Sequence, residues 1–284
     1  YTYQAGWNDM HIVDVTNLLY TNNGIIHRLN PNVGTLGTSS IALGINDDVQ
    51  GDYAFGFGGP APGNAVKASE IGSFAMGSDN DAATPYSMAF GEEIVSGGAA
   101  GGYHAVAMGY KSTATGVDTI GNTNLKNYGA FAFGFDCSAA GMNAFASGAA
   151  CDASGNFSIS MGAGKLTIPG PGVNQPITTL SKQKAYGNYS VAIGNANEAH
   201  NNFAVAIGTG NTIQSNEAIA LGNDVNIDTG ALGAIALQNG QIKTGAVLGF
   251  AAQASIARGD RSVAFMNSDV QGDFGFGAGM LVDV

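Results

Sequence analysis

The chain has 284 residues, only 11% of them charged, and 44 are glycine; ordinary soluble domains carry about 25% charged residues and about 7% glycine. A net charge of −11, with ten Lys and Arg scattered along the sequence, leaves no basic cluster to neutralise phosphates or an anionic lipid surface, so neither nucleic acid nor an anionic membrane is expected as a partner. Scarce proline without a G-X-Y period excludes collagen, the 45% hydrophobic content excludes disorder, and no apolar run is long enough to insert into a bilayer.

Residues 1–36 come first and carry no repeat. They hold the single tryptophan, Trp7, with Ile12, Val13, Val15, Leu18, Leu19, Ile25 and Ile26. A stacked β structure exposes unpaired backbone at its ends, so this segment is expected to cap the fold or attach it to another protein, with Trp7, Ile12, Leu18 and Leu19 as attachment residues. Because the sequence starts at Tyr1, a processed or excised chain is expected.

From residue 37 onward one string recurs: small, apolar, Ala, apolar, Gly. It stands as Ser40-Ile41-Ala42-Leu43-Gly44, Ser73-Phe74-Ala75-Met76-Gly77 and Ser87-Met88-Ala89-Phe90-Gly91. It returns as Ala105-Val106-Ala107-Met108-Gly109, Ala130-Phe131-Ala132-Phe133-Gly134 and Ser190-Val191-Ala192-Ile193-Gly194. Ala204-Val205-Ala206-Ile207-Gly208 and Ala218-Ile219-Ala220-Leu221-Gly222 follow. Weaker copies end at Gly56, Gly148, Gly162 and Gly277. Gly134, Gly148 and Gly162 are 14 residues apart, as are Gly194, Gly208 and Gly222. Fourteen residues are too few for a helical repeat and enough for two short strands and two turns. Alternation of bulky residues with Ala is the strand period, the closing Gly permits a sharp turn, and Asn, Asp and Ser fill the gaps. The spacing predicts an all-β parallel solenoid, about fifteen coils and roughly 70 Å long. Stacked Ile, Val, Phe and Met are expected to form its core. The Ala series at 42, 75, 89, 107, 132, 192, 206 and 220 is expected to face another wall. Insertions are expected near 92–103, 110–129 and 163–188.

The copies at Ser190–Gly194, Ala204–Gly208 and Ala218–Gly222 resemble the head repeat of YadA-like trimeric autotransporter adhesins, which also occurs in phage tail fibres. The resemblance covers about residues 38–277. It implies a left-handed parallel β-roll in which three chains surround one axis, hence a homotrimer. It also implies an extracellular place, on a virion or a cell surface, and a receptor of glycan or protein. A heptad stalk and membrane-anchor strands, present in the adhesins, are not found in this sequence.

Gly162-Ala163-Gly164-Lys165 lacks the first Gly and the Ser or Thr of a phosphate loop. His11, His27, His104 and His200 have no ligand spacing, so no cofactor and no catalytic residue is expected. Asp224, Asn226 and Asp228 alternate along one strand face and are weak Ca²⁺ ligands in prospect; a solvated polar face is the plainer reading, as it is for Asp79-Asn80-Asp81. Cys137 and Cys151, 14 apart, should lie on neighbouring coils near disulfide distance, either bridged or, as the favoured reading, as a ladder of small apolar side chains. Residues 46–56 and 267–277 match at eight of eleven positions, a relation without a mechanism in the sequence. Tyr103, His104, Tyr110, Tyr128 and Tyr186 border the insertions and are the expected surface-recognition residues. The sequence thus favours a non-enzymatic fibre or adhesin head, most readily a phage-type fibre, with a bacterial adhesin head as the alternative and a polysaccharide-degrading solenoid as a distant third.

Overall fold

The structure, a computed structural model, describes residues 18–21, 24–28, 37–44, 47–58, 66–96, 104–117, 129–167 and 178–279. Each turn of the chain gives one strand to each of two long parallel sheets, a 17-stranded first sheet and a 14-stranded second sheet. The described residues contain no helix. The repeated string forms the first sheet in strict register: Val191–Asn195 lies beside Val205–Thr209, with Val191 opposite Val205, Ala192 opposite Ala206 and Gly194 opposite Gly208. The stretch between copies forms the second sheet through two- to five-residue strands such as Glu198–Ala199 beside Thr212–Ile213. An all-β parallel solenoid is what the period predicted.

At the N-terminal end, Leu18–Thr21 and Gly24–Arg28 make an antiparallel hairpin, and Gly24–Arg28 pairs in parallel with Ser40–Gly44, placing Ile25 opposite Ile41. The hairpin therefore occupies the backbone edge of the first coil. Trp7 and Ile12 lie outside the described residues; Leu18 and Leu19 lie in the hairpin's outer strand.

Val95–Ser96 and Thr113–Val117 pair within the second sheet, so the margins of the first two expected insertions belong to the coils. In the third, Lys165–Thr167 and Thr178–Ser181 form an antiparallel hairpin, and Gln183–Ala185 then rejoins the second sheet beside Cys151–Ala153. A further lengthened corner was not foreseen. The chain spends nine residues from Gly58 to Lys67 on a step that takes four from Gly77 to Asp81; Pro60 and Pro62 were its signal.

The expected facing of the strands is reversed. Ala75, Ala89, Ala107, Ala132, Ala192, Ala206 and Ala220 are all fully enclosed, and Ala42 nearly so. The bulky residues between them point outward, with Ile207 39% and Met108 39% exposed. The reason is cross-section. A coil of about fourteen residues brings its two walls so close that the first sheet's inner face admits Ala, Ser or Gly, while the second sheet supplies the larger Ile213, Ile227 and Ile242. Sequence hydrophobicity ranks Ile above Ala for the interior; wall spacing overrules it. Ile207 therefore does not lie between stacked coils.

The same volume argument accounts for the matching segments 46–56 and 267–277. Gly56 and Gly277 take the inward place of Ala because Val49 and Val270 fill it from the opposite wall. A Cβ on Gly56 would lie 2.4 Å from Val49 Cγ2, and one on Gly277 2.6 Å from Val270 Cγ2. Asp52 and Asp273 each accept a hydrogen bond from the preceding coil, from Thr38 N at 2.6 Å and Asp260 N at 2.8 Å.

Candidate functional site

Three lines of side chains run along the solenoid, each set by one position of the coil. The first line is interior. Asn80, Asn197 and Asn211, each three residues after a motif Gly, turn their side chains into the corner between the sheets. The Asn211 amide donates to Ile207 O at 2.9 Å and Gly222 O at 3.0 Å and accepts from Val225 N at 3.0 Å. Asn197 makes the same three bonds to Ile193 O, Gly208 O and Asn211 N. Each amide thus ties its own coil to the next. Gln183 substitutes in one coil, donating to Met161 O and accepting from Asn197 N.

Cys137 and Cys151 occupy the same column as free, buried thiols. Their Sγ atoms lie 3.3 Å from Gly148 O and 3.4 Å from Gly162 O, where the Asn amides reach equivalent carbonyls. Contact with Cys137 and burial push the Cys151 thiol far up, so it stays protonated. The expected thiol ladder is present. Asp47 stands in this column too, 5% exposed, and neither carboxyl oxygen has a hydrogen-bond partner. Burial pushes its carboxyl up to about 6, and the nearby Gly58 backbone tempers that rise without a formed hydrogen bond.

The second line is the outward face of the first sheet. Two columns of large apolar residues cover it, among them Phe57, Met88, Met108, Phe131, Ile159, Met161, Ile207, Leu221, Ile235 and Phe276, each at least 37% exposed. Neighbouring rings stack along it, Phe55 on Phe74 at 4.7 Å and Phe74 on Phe90 at 4.8 Å. At about 4.8 Å per coil this face continues for some 60 Å, far beyond the few hundred Å² of apolar patch usual on a monomer.

The third line is the corner before each first-sheet strand. Tyr53, Tyr86, His104, Phe157, Tyr189, Phe203 and Phe274 sit there, all with φ between 57 and 61. Phe157, Tyr189 and Phe203 stack face to face at 5.1 Å, within 4° of parallel, and His104 stacks on Tyr86 at 5.4 Å. Sequence reading missed this column, except His104. Its signal was the aromatic one residue ahead of the motif, as in Tyr189-Ser190-Val191.

Of the expected recognition residues, Tyr103 and Tyr128 lie outside the described residues. His104 belongs to the corner column. Tyr110 ends a first-sheet strand, stacked on Phe135 at 5.4 Å and under Lys111 Nζ at 5.1 Å. Tyr186 is 37% exposed on the opposite side of the corner, with the His200 ring edge-on at 5.4 Å. There Glu198 joins Lys184 at 2.8 Å and His200 at 2.9 Å. Partial burial works against ionising Glu198, but Lys184 and His200 outweigh it and hold the carboxyl below its usual range. These three residues are set in the coils themselves.

Asp224, Asn226 and Asp228 do not converge. Asp224 accepts from Asn223 Nδ2 at 2.9 Å, while Asn226 Nδ2 donates to Asp228 Oδ1 at 2.7 Å. Lys243 Nζ is 3.8 Å from the other Asp228 oxygen. Among the described residues no three His, Cys, Asp or Glu gather as a metal site, and no helix is long and apolar enough to cross a membrane.

No curated protein sequence matches the chain. Two stretches do match a family: residues 100–120 and 185–211 correspond to the YadA head domain repeat, one copy each. The second spans the Tyr186–Tyr189 corner and two complete strands of the first sheet. Over these two stretches the sequence match and the coil geometry agree, so this part of the solenoid is similar to the YadA head domain repeat.

Proposed function

We propose that the chain forms a homotrimer about the apolar face of its first sheet, and that the trimer is a rigid, surface-exposed shaft or head of a phage-type fibre that engages a host surface. The observation that carries this reading is the outward ladder of Phe, Met, Ile, Leu and Val, continuous in one column and broken in the other only by Ser147, Ala252 and Ala278. Exposed to water it would promote aggregation; three copies in closed symmetry would cover it. The head repeat supports a trimeric adhesin role, and the same repeat would serve a bacterial surface head. Of the expected recognition residues, Tyr186 would touch a receptor from the rod's flank, while His104 and Tyr110 lie along the strand edges that would meet neighbouring copies; the paired strands 18–21 and 24–28 would cap or attach the rod.

The test is native mass together with one substitution. The intact chain should have the mass of three copies. Ile207→Asp should give a folded monomer, because Ile207 faces outward and its carboxylate would be buried only between chains. A wild-type monomer, or an Ile207→Asp trimer as robust as wild type, would refute the assignment. Binding of wild-type trimer, and of Tyr186→Ala trimer, to candidate host cells then reads the receptor role separately.

A further inference from the structure

We infer that the stacked aromatic corner is an intersubunit ridge, which seats in the furrow along the glycine edge of a second copy of this chain. The inference rests on the trimer reading above and adds which edge meets which.

Each first-sheet strand has two ends. The aromatic corner lies at the start, as Tyr189 does before Val191–Asn195, and the motif glycine lies at the end, as Gly194 does. In a closed ring of three, flat faces turned toward one axis meet only along their edges. The contact is then heterologous: the starting edge of one chain meets the finishing edge of the next. Those two edges are unlike in shape. The starting edge is a ridge of large rings. The finishing edge is a furrow that follows Gly58, Gly77, Gly91 and Gly109, with Phe57, Met76, Glu92 and Tyr110 also in its lining. Pure rotation keeps coil levels matched, so Tyr86 of one copy meets the Gly91 level of the next, and Tyr189 meets the Gly194 level.

Two observations favour a protein furrow over a sugar as the occupant. The rings of Phe157, Tyr189 and Phe203 cover one another's faces, so the flat surfaces that would stack on a sugar are already taken and ring edges remain. The backbone cost points the same way. An aromatic residue at φ near 57 is strained by about 1–2 kcal/mol; the same corner holds Gly72, Gly233 and Asn143 without that strain, and Ser39, Glu217, Leu248 and Arg261 with it. A free chain gains only the stacking of half-exposed rings at a strained position; an assembled one gains their burial as well.

The experiment has two arms, both on the full chain. Tyr189→Asn with Phe203→Asn removes rings and relieves strain together. The expected result is a chain that keeps its β circular dichroism while its trimer dissociates at ten-fold or more higher concentration than wild type. In the second arm, Tyr189→Cys is combined with Asn195→Cys. These positions end one strand, about 20 Å apart within a chain, too far for an internal disulfide. Mild oxidation should give covalent trimers that reducing agent separates, and neither single variant should. A wild-type monomer would remove the trimer reading and this pairing with it. A wild-type trimer whose double-Asn variant dissociates no more readily, or whose double-Cys variant stays uncrosslinked, would overturn the edge pairing alone.

Discussion

Between Phe55 and Asn223 every described coil leaves the first sheet through a glycine with φ between 120 and 141. In the next three coils the same corner is made by two consecutive non-glycine residues in the left-handed region: Gln238 and Asn239, Gln253 and Ala254, Met266 and Asn267; glycine returns at Gly279. The first type has five-residue strands such as Val205–Thr209, the second three-residue strands such as Ile235–Leu237. The glycine corner brings backbones so close that a Cβ on Gly208 would lie 1.8 Å from Gly222 O. At Gly222, where the next corner belongs to Gln238, the nearest atom is Gln238 N at 2.9 Å. One fold thus closes its coils in two ways. The first extends the ladder by two residues per strand and tolerates no side chain. The second shortens the ladder and accepts ordinary residues at the expense of backbone strain.

The largest expected effect separates the two corners directly. Gly208→Ala should disrupt the stack, costing more than about 4 kcal/mol because both φ and the carbonyl contact oppose a methyl group. Gln238→Ala, at the corresponding corner, should cost less than about 1 kcal/mol. Melting temperatures of the two variants decide the point; equal losses would mean the corners are equivalent after all.

Next come the side chains that brace the corners. Asn211→Ala strands three backbone groups at once and should cost about 2–3 kcal/mol. Ser255 at the matching place makes a single bond, to Ala252 O at 2.7 Å, so Ser255→Ala should cost about 1 kcal/mol. Denaturant midpoints in the same buffer provide the comparison.

Asp47 tests whether the column wants a donor. Its carboxyl moves from an ordinary 3.8 in the unfolded chain to about 6 in the folded one. Below pH about 4 both states hold the proton. As pH rises toward 6 the unfolded chain releases it first, so folding loses stability and stays weaker above that. Asp47→Asn should flatten this decline and raise the melting temperature at pH 7, by supplying the amide that other coils use. A wild-type melting curve flat between pH 4 and 7 would contradict the burial. The smallest effect belongs to the strained corners: Ala254→Asn should stabilise by less than about 1 kcal/mol, since Asn tolerates the left-handed region better than Ala.

The period was legible because Gly208 and Gly222 must stack at a fixed interval, and sequence spacing records that constraint directly. Facing was not legible. Alternation of Ala206 and Ile207 shows that they point opposite ways but not which wall is near, and wall separation is a property of the closed coil. The thiol ladder at Cys137 and Cys151 could be read from spacing alone. The aromatic corner could not, since Tyr189 and Phe203 look like loop residues until their left-handed backbone and mutual stacking are known. Tyr110 and Tyr186 were singled out as neighbours of insertions, yet both sit in the coils, because register sets the coil boundary and composition does not.

The unequal coils have a consequence for assembly. A ladder of identical rungs can be put together one rung out of step, with almost every contact preserved and only the ends mismatched. Here the inward residues are 14 apart from Ala192 to Ala206 and to Ala220, then 16 to Ala236, 15 to Ala251 and 13 to Ala264. The nine-residue corner after Gly58 and the hairpin from Lys165 to Ser181 add further marks. These irregularities work as the notches on a tally stick. In the trimer proposed above, three sticks laid side by side would match at one alignment, and a shift by a single coil would set long corners against short ones at several levels. The departures from fourteen, which look like decay of a perfect repeat, are what allow a repetitive chain to count.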